Sequence, residues 1–394
     1  MMAAITAAAQ GADVTLLERG ERVGRKLLMT GNGKGNLGNA RLDITKYYGR
    51  DPEWIAACLK SFGTEETVSF FRGLGLLIKN KNGYLYPASE QAAVVLDVLR
   101  NELKVLGVRL ITDCKINRIK KASDSGQITV SDGKQSFVFD RVILACGSKA
   151  APKTGSDGSG YKLAKQLGHE IVPTVPALVQ LRCREEYMKA VSGVRAEGCI
   201  RVLQNGKCIA SEMGEIQFTD YGISGIPVFQ ISRVVNYLLR EEKEVQVMID
   251  LLPDYDEQEL EQLIISRSLL HTGRTVEEFF TGMLHKKLMS LFIKLAGLKP
   301  GSSSEEVQED ALRRVYSLCR HWELHIEGSN PYDNAQVCAG GVSTEQVTRQ
   351  MESRIVPGVF FAGEMLDVDG KCGGYNLQWA WCSGYLAGMA ATER

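Results

Sequence analysis

Hydrophobic and polar positions follow different periods in different parts of the chain, and these periods predict its elements. Residues 1–10 are apolar and alanine-rich, which predicts a buried helix, and Val14–Leu17 forms a short apolar run that predicts a strand ending at Glu18. Period-two alternation over residues 115–146 predicts an antiparallel meander that turns at Asp132-Gly133. The first third of the chain therefore mixes helices and strands.

The pattern changes in the middle of the chain and returns near its end. Residues 227–322 show mostly helical spacing, and His321 and His325 fall four apart on a predicted helix. Strand-like runs return at 333–338 and 358–363, and a last helix is predicted to begin near Asn376. This order predicts an α/β fold whose two parts are separated by an insertion.

The fold class that we predict is α/β, with a Rossmann-like domain interrupted by an inserted substrate domain. The predicted boundaries are 1–175 for the first part of the Rossmann-like domain, 176–250 for a β-rich inserted subdomain, 251–330 for a helical one, and 331–394 for the second part.

The start of the chain matches only the second half of a dinucleotide-binding unit. Such a unit runs strand, G-x-G-x-x-G loop, helix and strand, with an acid about 20 residues after the glycines for the ribose hydroxyls. The predicted helix and strand ending at Glu18 fit its second half, so we expect the first strand and glycine loop to lie upstream of Met1. The alternative is that an ordinary helix and strand end at an acid.

Composition narrows the possible partners. The 394 residues include 47 Lys plus Arg and 47 Asp plus Glu, so no basic surplus favours a nucleic-acid partner. No apolar run approaches the roughly 18 residues of a membrane span, and residues 1–10 lack the pattern of a signal peptide. The 10 cysteines include no C-x-x-C pair, which indicates reduced thiols in the cytoplasm. We expect a cytoplasmic protein that acts on a small molecule.

Two glycine-rich stretches carry the candidate chemistry. In residues 357–388 a strand runs into Gly363-Glu364, a glycine-rich loop and a helix that begins at "YNLQWAW". A helix that begins after such a loop offers free N–H donors and a positive dipole end to an electron-rich ligand. A tight turn with glycines needed only for packing is the alternative. The second stretch, "TGNGKGNLGNA" at 30–40, would let backbone approach a cofactor closely.

Together these stretches resemble a family of bacterial NAD(P)/FAD-dependent oxidoreductases, the aminoacetone oxidase family of two-dinucleotide-fold flavoproteins. The resemblance rests on "LLERGERVGRKLLMTGNGKGN", "RVILACGSKAAPKTGSDGSGY", "GEIQFTDYGISG" and "AQVCAGGVSTEQVTRQMESRIVPGVFFAGEMLDVDGKCGGYNLQWAW", and covers nearly the whole chain. It implies an FAD-binding domain and a transient NAD(P)H reductant. One branch of the family belongs to the bile-acid pathway.

The resemblance also implies roles for individual residues. Glu18 would hold the adenosine ribose, Ile116 would contact adenine, and Glu364 would meet the ribityl chain. Cys146 stands where the family usually has Thr. The residues implied to contact FAD are Glu18, Arg19, Arg25, Lys26, Thr30, Gly31, Asn32, Gly33, Asn36, Ile116, Ala145, Cys146, Gly147, Gly363, Glu364, Gly374, Asn376, Leu377 and Gln378.

The primary functional hypothesis is a reductase of an activated C=C bond in a hydrophobic, steroid-like or bile-acid-like enone. A general acid must then protonate the neighbouring carbon, and Tyr221 and Tyr375 are candidates because each lies in a glycine-flanked loop. Ordinary packing of these tyrosines is the alternative. Two other hypotheses are an amine or aminoketone oxidase that uses O2 and a non-enzymatic flavin- or RNA-binding protein.

Two further patterns are weaker. Residues 155–172 imitate a second nucleotide fingerprint, but "SKAAPKT" separates their glycines from the preceding strand, so we predict a loop and a helix. His321 and His325 have no neighbouring acid in the H-E-x-x-H manner and no evident third ligand, so we predict no metal site.

Overall fold

The structure is a computed structural model that describes residues 1–122, 126–270 and 273–393. Its α-helices are α1 (Met2–Ala9), α2 (Pro52–Ser61), α3 (Thr64–Gly73), α4 (Ala92–Val105), α5 (Ser159–Gln166), α6 (Met188–Val191), α7 (Ile226–Arg240), α8 (Glu257–Leu270), α9 (Val276–Phe279), α10 (Lys286–Leu295), α11 (Glu309–Arg320) and α12 (Tyr375–Ala390).

The strands are mostly short. They are β1 (Thr15–Leu17), β2 (Gly38–Asn39), β3 (Tyr47–Tyr48), β4 (Ile78–Lys81), β5 (Tyr84–Pro87), β6 (Arg109–Ile111), β7 (Arg118–Lys121), β8 (Ile128–Ser131), β9 (Ser136–Phe139), β10 (Val142–Leu144), β11 (Ile171–Ala177), β12 (Leu181–Cys183), β13 (Arg195–Gln204), β14 (Lys207–Phe218), β15 (Gly222–Ser224), β16 (Val245–Asp250), β17 (Trp322–Ser329), β18 (Val337–Val342), β19 (Val359–Phe361) and β20 (Asp369–Gly370).

The chain divides into two compact units. The first contains Met1–Pro176 and Tyr332–Arg394, and the second contains Ala177–Pro331. The boundary that we predicted between residues 250 and 251 falls inside the second unit, because strands from both sides of it pair in one sheet.

Parallel strand pairs organise the first unit. β1 pairs with β6, with Leu16 opposite Leu110, and β10 pairs with β19, with Ile143 opposite Phe360. The prediction that Val142–Leu144 belongs to the meander was wrong, since only β7, β8 and β9 pair antiparallel there. The fully apolar run of β10 suits a parallel strand that is covered on both faces.

A hairpin turns at Asn82-Gly83, where β4 and β5 pair antiparallel. Asn82 and Gly83 have φ angles of 55° and 96°. Positive φ at both central residues is the geometry of the tight turns that match strand twist. This hairpin forms one side of a pocket that Lys34 and Glu90 also line.

Helix α12 packs closely on α1. A Cβ atom at Gly388 would lie 2.6 Å from the carbonyl oxygen of Ala3, and one at Gly384 would lie 3.1 Å from Cβ of Met2. These two glycines, four residues apart, lie on one face of α12 and let the two helix backbones approach. These contacts fix the C-terminal half of α12 against α1.

The second unit is built around a closed barrel with the strand order β12-β15-β14-β13-β16-β17. The helix predicted across His325 was wrong, because Trp322, Leu324 and Ile326 are all buried at alternate positions of β17. That spacing has the period of a strand. His325 Nδ1 lies 2.9 Å from Oε1 of Glu185.

Neither a helix able to cross a membrane nor a metal-binding cluster occurs among the described residues. None of the helices there is both long enough and apolar enough to cross a membrane. Across the same ranges, no three His, Cys, Asp or Glu side chains are grouped so that they could hold a metal ion.

His169 makes the stability of the first unit depend on pH. Its ring is 3% exposed, and its Nε2 atom lies 2.7 Å from Oγ of Ser353. Burial lowers the pKa of His169 below its ordinary value, so the unfolded chain binds its proton at a higher pH than the folded chain does.

We therefore expect the free energy of unfolding to fall as the pH drops below about 6.5, by up to about 1.4 kcal/mol per pH unit until His169 protonates in the folded state. His169→Gln should flatten this slope in urea denaturation at pH 5.5 and 7.5, whereas the exposed-site control His321→Gln should keep it. An unchanged slope in His169→Gln would contradict the assignment.

Candidate functional site

The glycine loop at residues 30–40, called the first glycine loop from here on, is anchored at both ends. At its start, the hydroxyl of Thr30 donates to the carbonyl oxygen of Leu27 at 2.7 Å. Gly31 and Asn32 then follow with φ angles of 56° and 54°, a left-handed pair that glycine and asparagine adopt most readily. At its end, the carbonyl of Leu37 accepts a hydrogen bond from Nε1 of Trp381 at 2.9 Å.

The second glycine loop, at 370–374, lies directly against the first. A Cβ atom at Gly374 would lie 2.6 Å from the carbonyl carbon and oxygen of Gly38, so only glycine fits there. Nδ2 of Asn39 donates to the carbonyl of Gly373 at 3.1 Å, and the side chain of Asn376 bonds both the N–H and the carbonyl of Gly370. The two glycine stretches that the sequence separates thus form one surface.

The N-terminus of α12 opens at this surface. The ladder of the helix begins with the N–H of Gln378, which donates to the carbonyl of Gly374 at 3.0 Å. The N–H groups of the residues before it have no intrahelical acceptor, and they carry the positive end of the dipole of a 16-residue helix. Asn376 and Leu377 lie at this helix end, and their contact with an electron-rich ligand stays a prediction.

Gln378 differs because its side chain is buried inside the protein, and its contact with a ligand stays a prediction. Its side chain is fully buried and donates to Oγ1 of Thr67 at 2.9 Å and to the carbonyl of Phe62 at 3.3 Å. One further step along α12 turns the side chain away from the helix end and toward α3.

An ion pair lies at the end of β19. The ammonium of Lys26 bonds Oε2 of Glu364, and the same carboxylate oxygen accepts from the hydroxyl of Ser148 at 3.3 Å. The Lys26 ammonium also lies 3.4 Å from the carbonyl oxygen of Ala150. Two residues predicted separately, Lys26 and Glu364, are thereby brought together.

Glu18 lies immediately after β1, as predicted. Its Oε1 atom accepts from the N–H of Gly20 at 2.7 Å, and its own N–H donates to the carbonyl of Ile111 at 2.8 Å. The backbone is thus fixed by β6 while the carboxylate faces the loop. An acid at the end of a parallel strand suits ribose hydroxyls.

The neighbouring Arg19 is held by Asp157, with which it forms an ion pair, and it donates to the carbonyl of Gly155 at 3.3 Å. Partial burial acts to raise the pKa of Asp157, but hydrogen bonds from Ser159 and Arg19 outweigh it and hold that pKa well below its usual range. The carboxylate is therefore charged at neutral pH, and Arg19 is oriented by it.

Five more of the predicted residues occupy three places. Ala145, Cys146 and Gly147 directly follow β10, whose end is level with that of β19 because the N–H of Ala362 donates to the carbonyl of Leu144. Ile116 is half-buried between β6 and β7, and Arg25 is exposed. Glu18, Ala145 and Gly363 thus each stand at the carboxyl end of a parallel strand, where α/β folds bind ligands.

The two candidate acids differ. Tyr375 is 3% exposed; its ring meets that of Tyr47 edge-on, and its carbonyl accepts from the Tyr47 hydroxyl at 2.8 Å, so it packs as a core residue. Tyr221 belongs to the second unit and is half-buried. Its hydroxyl accepts from Nδ2 of Asn330 at 3.1 Å, and the Arg182 guanidinium lies 5.5 Å from its ring centre.

Asn330 and Arg182 were not predicted, since neither stands near Tyr221 in the sequence and neither belongs to a recognisable motif. Only the pairing of β12 with β15 and β17 brings their strands beside the loop of Tyr221.

The residues at the strand ends fit an FAD molecule. Cβ atoms added at Gly33 and Gly363 would meet no heavy atom within 4 Å, so the backbone there is open to close approach by a ligand. Glu18 would offer an acid to the ribose hydroxyls, Glu364 one to the ribityl chain, and α12 would offer N–H donors.

Comparison with known proteins agrees with this geometry. Residues 1–390 match the family described as HI0933-like protein Rossmann domain, which confirms the predicted fold class. The 3-dehydro-bile acid Δ(4,6)-reductase of Clostridium scindens is 44% identical over 397 residues, which cover 100% of this chain and 97% of that protein. The ribosomal RNA dihydrouridine synthases of Haemophilus influenzae and Escherichia coli are each 28% identical over 390 residues, which cover 98% of this chain and 94% and 93% of theirs.

The contact between the glycine loops gives a direct test. We expect Gly374→Ala to lower flavin affinity at least tenfold, equivalent to about 1.4 kcal/mol, because the new methyl group must push the Gly38 backbone and the start of α12 apart. Flavin retained after gel filtration, read from visible absorbance, measures the loss.

Gly11→Ala is the matched control. Gly11 also has a positive φ, of 89°, but a Cβ atom there would meet nothing within 4 Å. It carries the same backbone strain without the collision, so flavin content should match the unmodified protein. Equal flavin loss in both variants would show that strain, not the loop contact, is responsible.

Proposed function

This chain belongs to the HI0933-like family of Rossmann flavoproteins, and from that premise we propose that it reduces an activated C=C bond of a hydrophobic enone, steroid-like or bile-acid-like. The chain is an FAD-dependent oxidoreductase. The observation that carries the proposal is the joined pair of glycine loops at the start of α12, with Glu364 beside it, in a chain similar over its full length to a named C=C reductase.

The relatives' names point to one class of reaction. A bile-acid Δ(4,6)-reductase and a dihydrouridine synthase both saturate a C=C bond conjugated to a carbonyl group. FAD, when bound, supplies the hydride for the β-carbon of such a bond and regains it from a reduced pyridine nucleotide. The α-carbon then needs a proton from elsewhere.

The chain's own residues position the reaction. The N-terminus of α12 would offer N–H donors and a positive dipole end to the negative charge that a reduced flavin ring carries. Glu364, held by Lys26 and Ser148, would orient hydroxyls of the cofactor chain. We propose that the Tyr221 hydroxyl supplies the proton, since its partner Asn330 fixes the oxygen as acceptor and leaves its own hydrogen free to donate.

The reductant is proposed to be NAD(P)H that docks transiently. Residues 155–172 form a loop and helix α5, which begins at Ser159, well after β10 ends at Leu144. A dinucleotide fingerprint needs its glycines directly after a strand, so this stretch supplies no second dinucleotide site.

RNA is the second candidate substrate, and the dihydrouridine synthases are the observation that favours it. The equal numbers of acidic and basic residues argue against it, because RNA binding depends on basic surface. A salt-sensitive gel shift with ribosomal RNA, followed by dihydrouridine analysis, would support RNA over the enone.

Anaerobic titration tests the reaction class. We expect NADH or NADPH to bleach the bound flavin, and a 3-oxo bile acid with double bonds at C4 and C6 to restore its colour with loss of the enone absorbance. Amine-dependent formation of peroxide in air, without bleaching by either nucleotide, would instead identify an oxidase.

Tyr221→Phe tests the proton donor. We expect enone reduction to slow by about 100-fold or more, as is typical for loss of a general acid, while flavin bleaching by the nucleotide keeps its rate. Tyr255→Phe is the control, since Tyr255 is 46% exposed in the same unit. Full enone reduction by Tyr221→Phe would assign the proton to another group.

A further inference from the structure

We infer that a pocket between the first glycine loop and the β4–β5 hairpin binds the anionic end group, a carboxylate or a phosphate, of a small molecule used in the reaction. The pocket has a volume of about 150 Å³ and is lined by Lys34, Lys81, Asn82, Tyr84, Tyr86 and Glu90. The inference rests on the proposed function for its choice of ligands.

Three ammonium groups surround a single carboxylate at this pocket. Oε1 of Glu90 lies 2.7 Å from the ammonium of Lys79 and 3.9 Å from that of Lys81, and Oε2 lies 3.5 Å from that of Lys34. The cluster thus has two more positive than negative charges, in a chain whose formal net charge is zero. The excess positive charge is confined to this cluster, and a bound anion would neutralise it.

Glu90 holds its position at a cost in backbone energy. Its φ angle is 50°, in the left-handed region that disfavours residues with a Cβ atom. The hydrogen bond from Lys79, aided by the charges of all three lysines, lowers the pKa of Glu90 and keeps it ionised. This ionised acid competes with an incoming anion for the three ammonium groups.

Two tyrosine side chains that line the pocket, Tyr84 and Tyr86, also lie beside the two glycine loops. Cε1 of Tyr84 would lie 2.8 Å from a Cβ atom at Gly373, and Cε1 of Tyr86 would lie 3.5 Å from one at Gly31. Tyr84 is 39% exposed, so its ring offers a flat apolar face beside the ammonium groups. A ligand anchored here would extend along the surface on which α12 begins.

The size of the pocket limits what it holds. Pockets for whole drug-sized ligands measure about 300–1,000 Å³, roughly two or more times this one. It can take an end group but not a steroid nucleus or a nicotinamide nucleoside. Two sources offer that chemistry, which are the carboxylate of an acidic steroid-like enone and a phosphate of the pyridine nucleotide.

The double variant Lys34→Gln/Lys81→Gln separates these sources. The probes are NADPH, NADH, a 3-oxo bile acid with double bonds at C4 and C6, and its methyl ester, measured on the FAD-loaded protein. We expect KM to rise about tenfold for the anchored probe with kcat nearly constant. A rise for the acid but not its ester identifies the substrate carboxylate, a rise for NADPH but not NADH identifies the 2′-phosphate, and a rise for both nucleotides identifies the pyrophosphate.

Lys104→Gln on α4 is the matched control and should leave every KM unchanged. Equilibrium dialysis of the same probes reports binding even if the protein reduces no enone, so failure of the proposed function is distinguishable from failure of the pocket. Unchanged KM and dissociation constants for all four probes in the double variant would overturn the inference.

Glu90→Gln tests the same pocket by removing its negative charge instead of its positive charges. It removes the competing negative charge at nearly constant shape, so binding of the anchored probe should tighten about threefold and depend more steeply on salt. Weaker binding in Glu90→Gln would also overturn the inference.

Discussion

The backbone contact between Gly38 and Gly374 is the constraint on which the rest of the site depends. A Cβ atom at Gly374 would lie 2.6 Å from the carbonyl group of Gly38. No side chain fits in that space, so the two loops can meet only through glycine backbone. Asn39, Asn376 and Trp381 then fasten the loops by hydrogen bonds on either side of that contact. The start of α12 is positioned by this closure, and its N–H donors are useful only because the first loop holds them in place.

The sequence predicted those parts of the site whose signal is local. An acid directly after a strand, as with Glu18 and Glu364, and a glycine run before a helix can be recognised from a few residues. Gln378 could not be assigned in the same way, because only packing against α3 shows which way its side chain turns. β17 was mistaken for a helix because one four-residue spacing, His321 to His325, outweighed the two-residue alternation of its buried positions.

Charged groups in the first unit share one arrangement. Lys26 with Glu364, Arg19 with Asp157, and Lys79 with Glu90 each pair a cation from the N-terminal part of the chain with a carboxylate at a loop or strand end. Each pair is partly buried and fixed by further hydrogen bonds or charges. Groups fixed in this way need little rearrangement when a polar ligand arrives, which is how folded sites outperform water as a solvent for charge.

The pairing of β12 with β17 has an evolutionary consequence. Leu181 lies opposite Ser329, so the chain enters and leaves the barrel on adjacent strands. When the two ends of an inserted segment lie side by side, the segment can replace a short surface loop of the domain that carries it, and the length of the insert matters little. Changes in the length or sequence of the barrel therefore need not separate the two parts of the first unit.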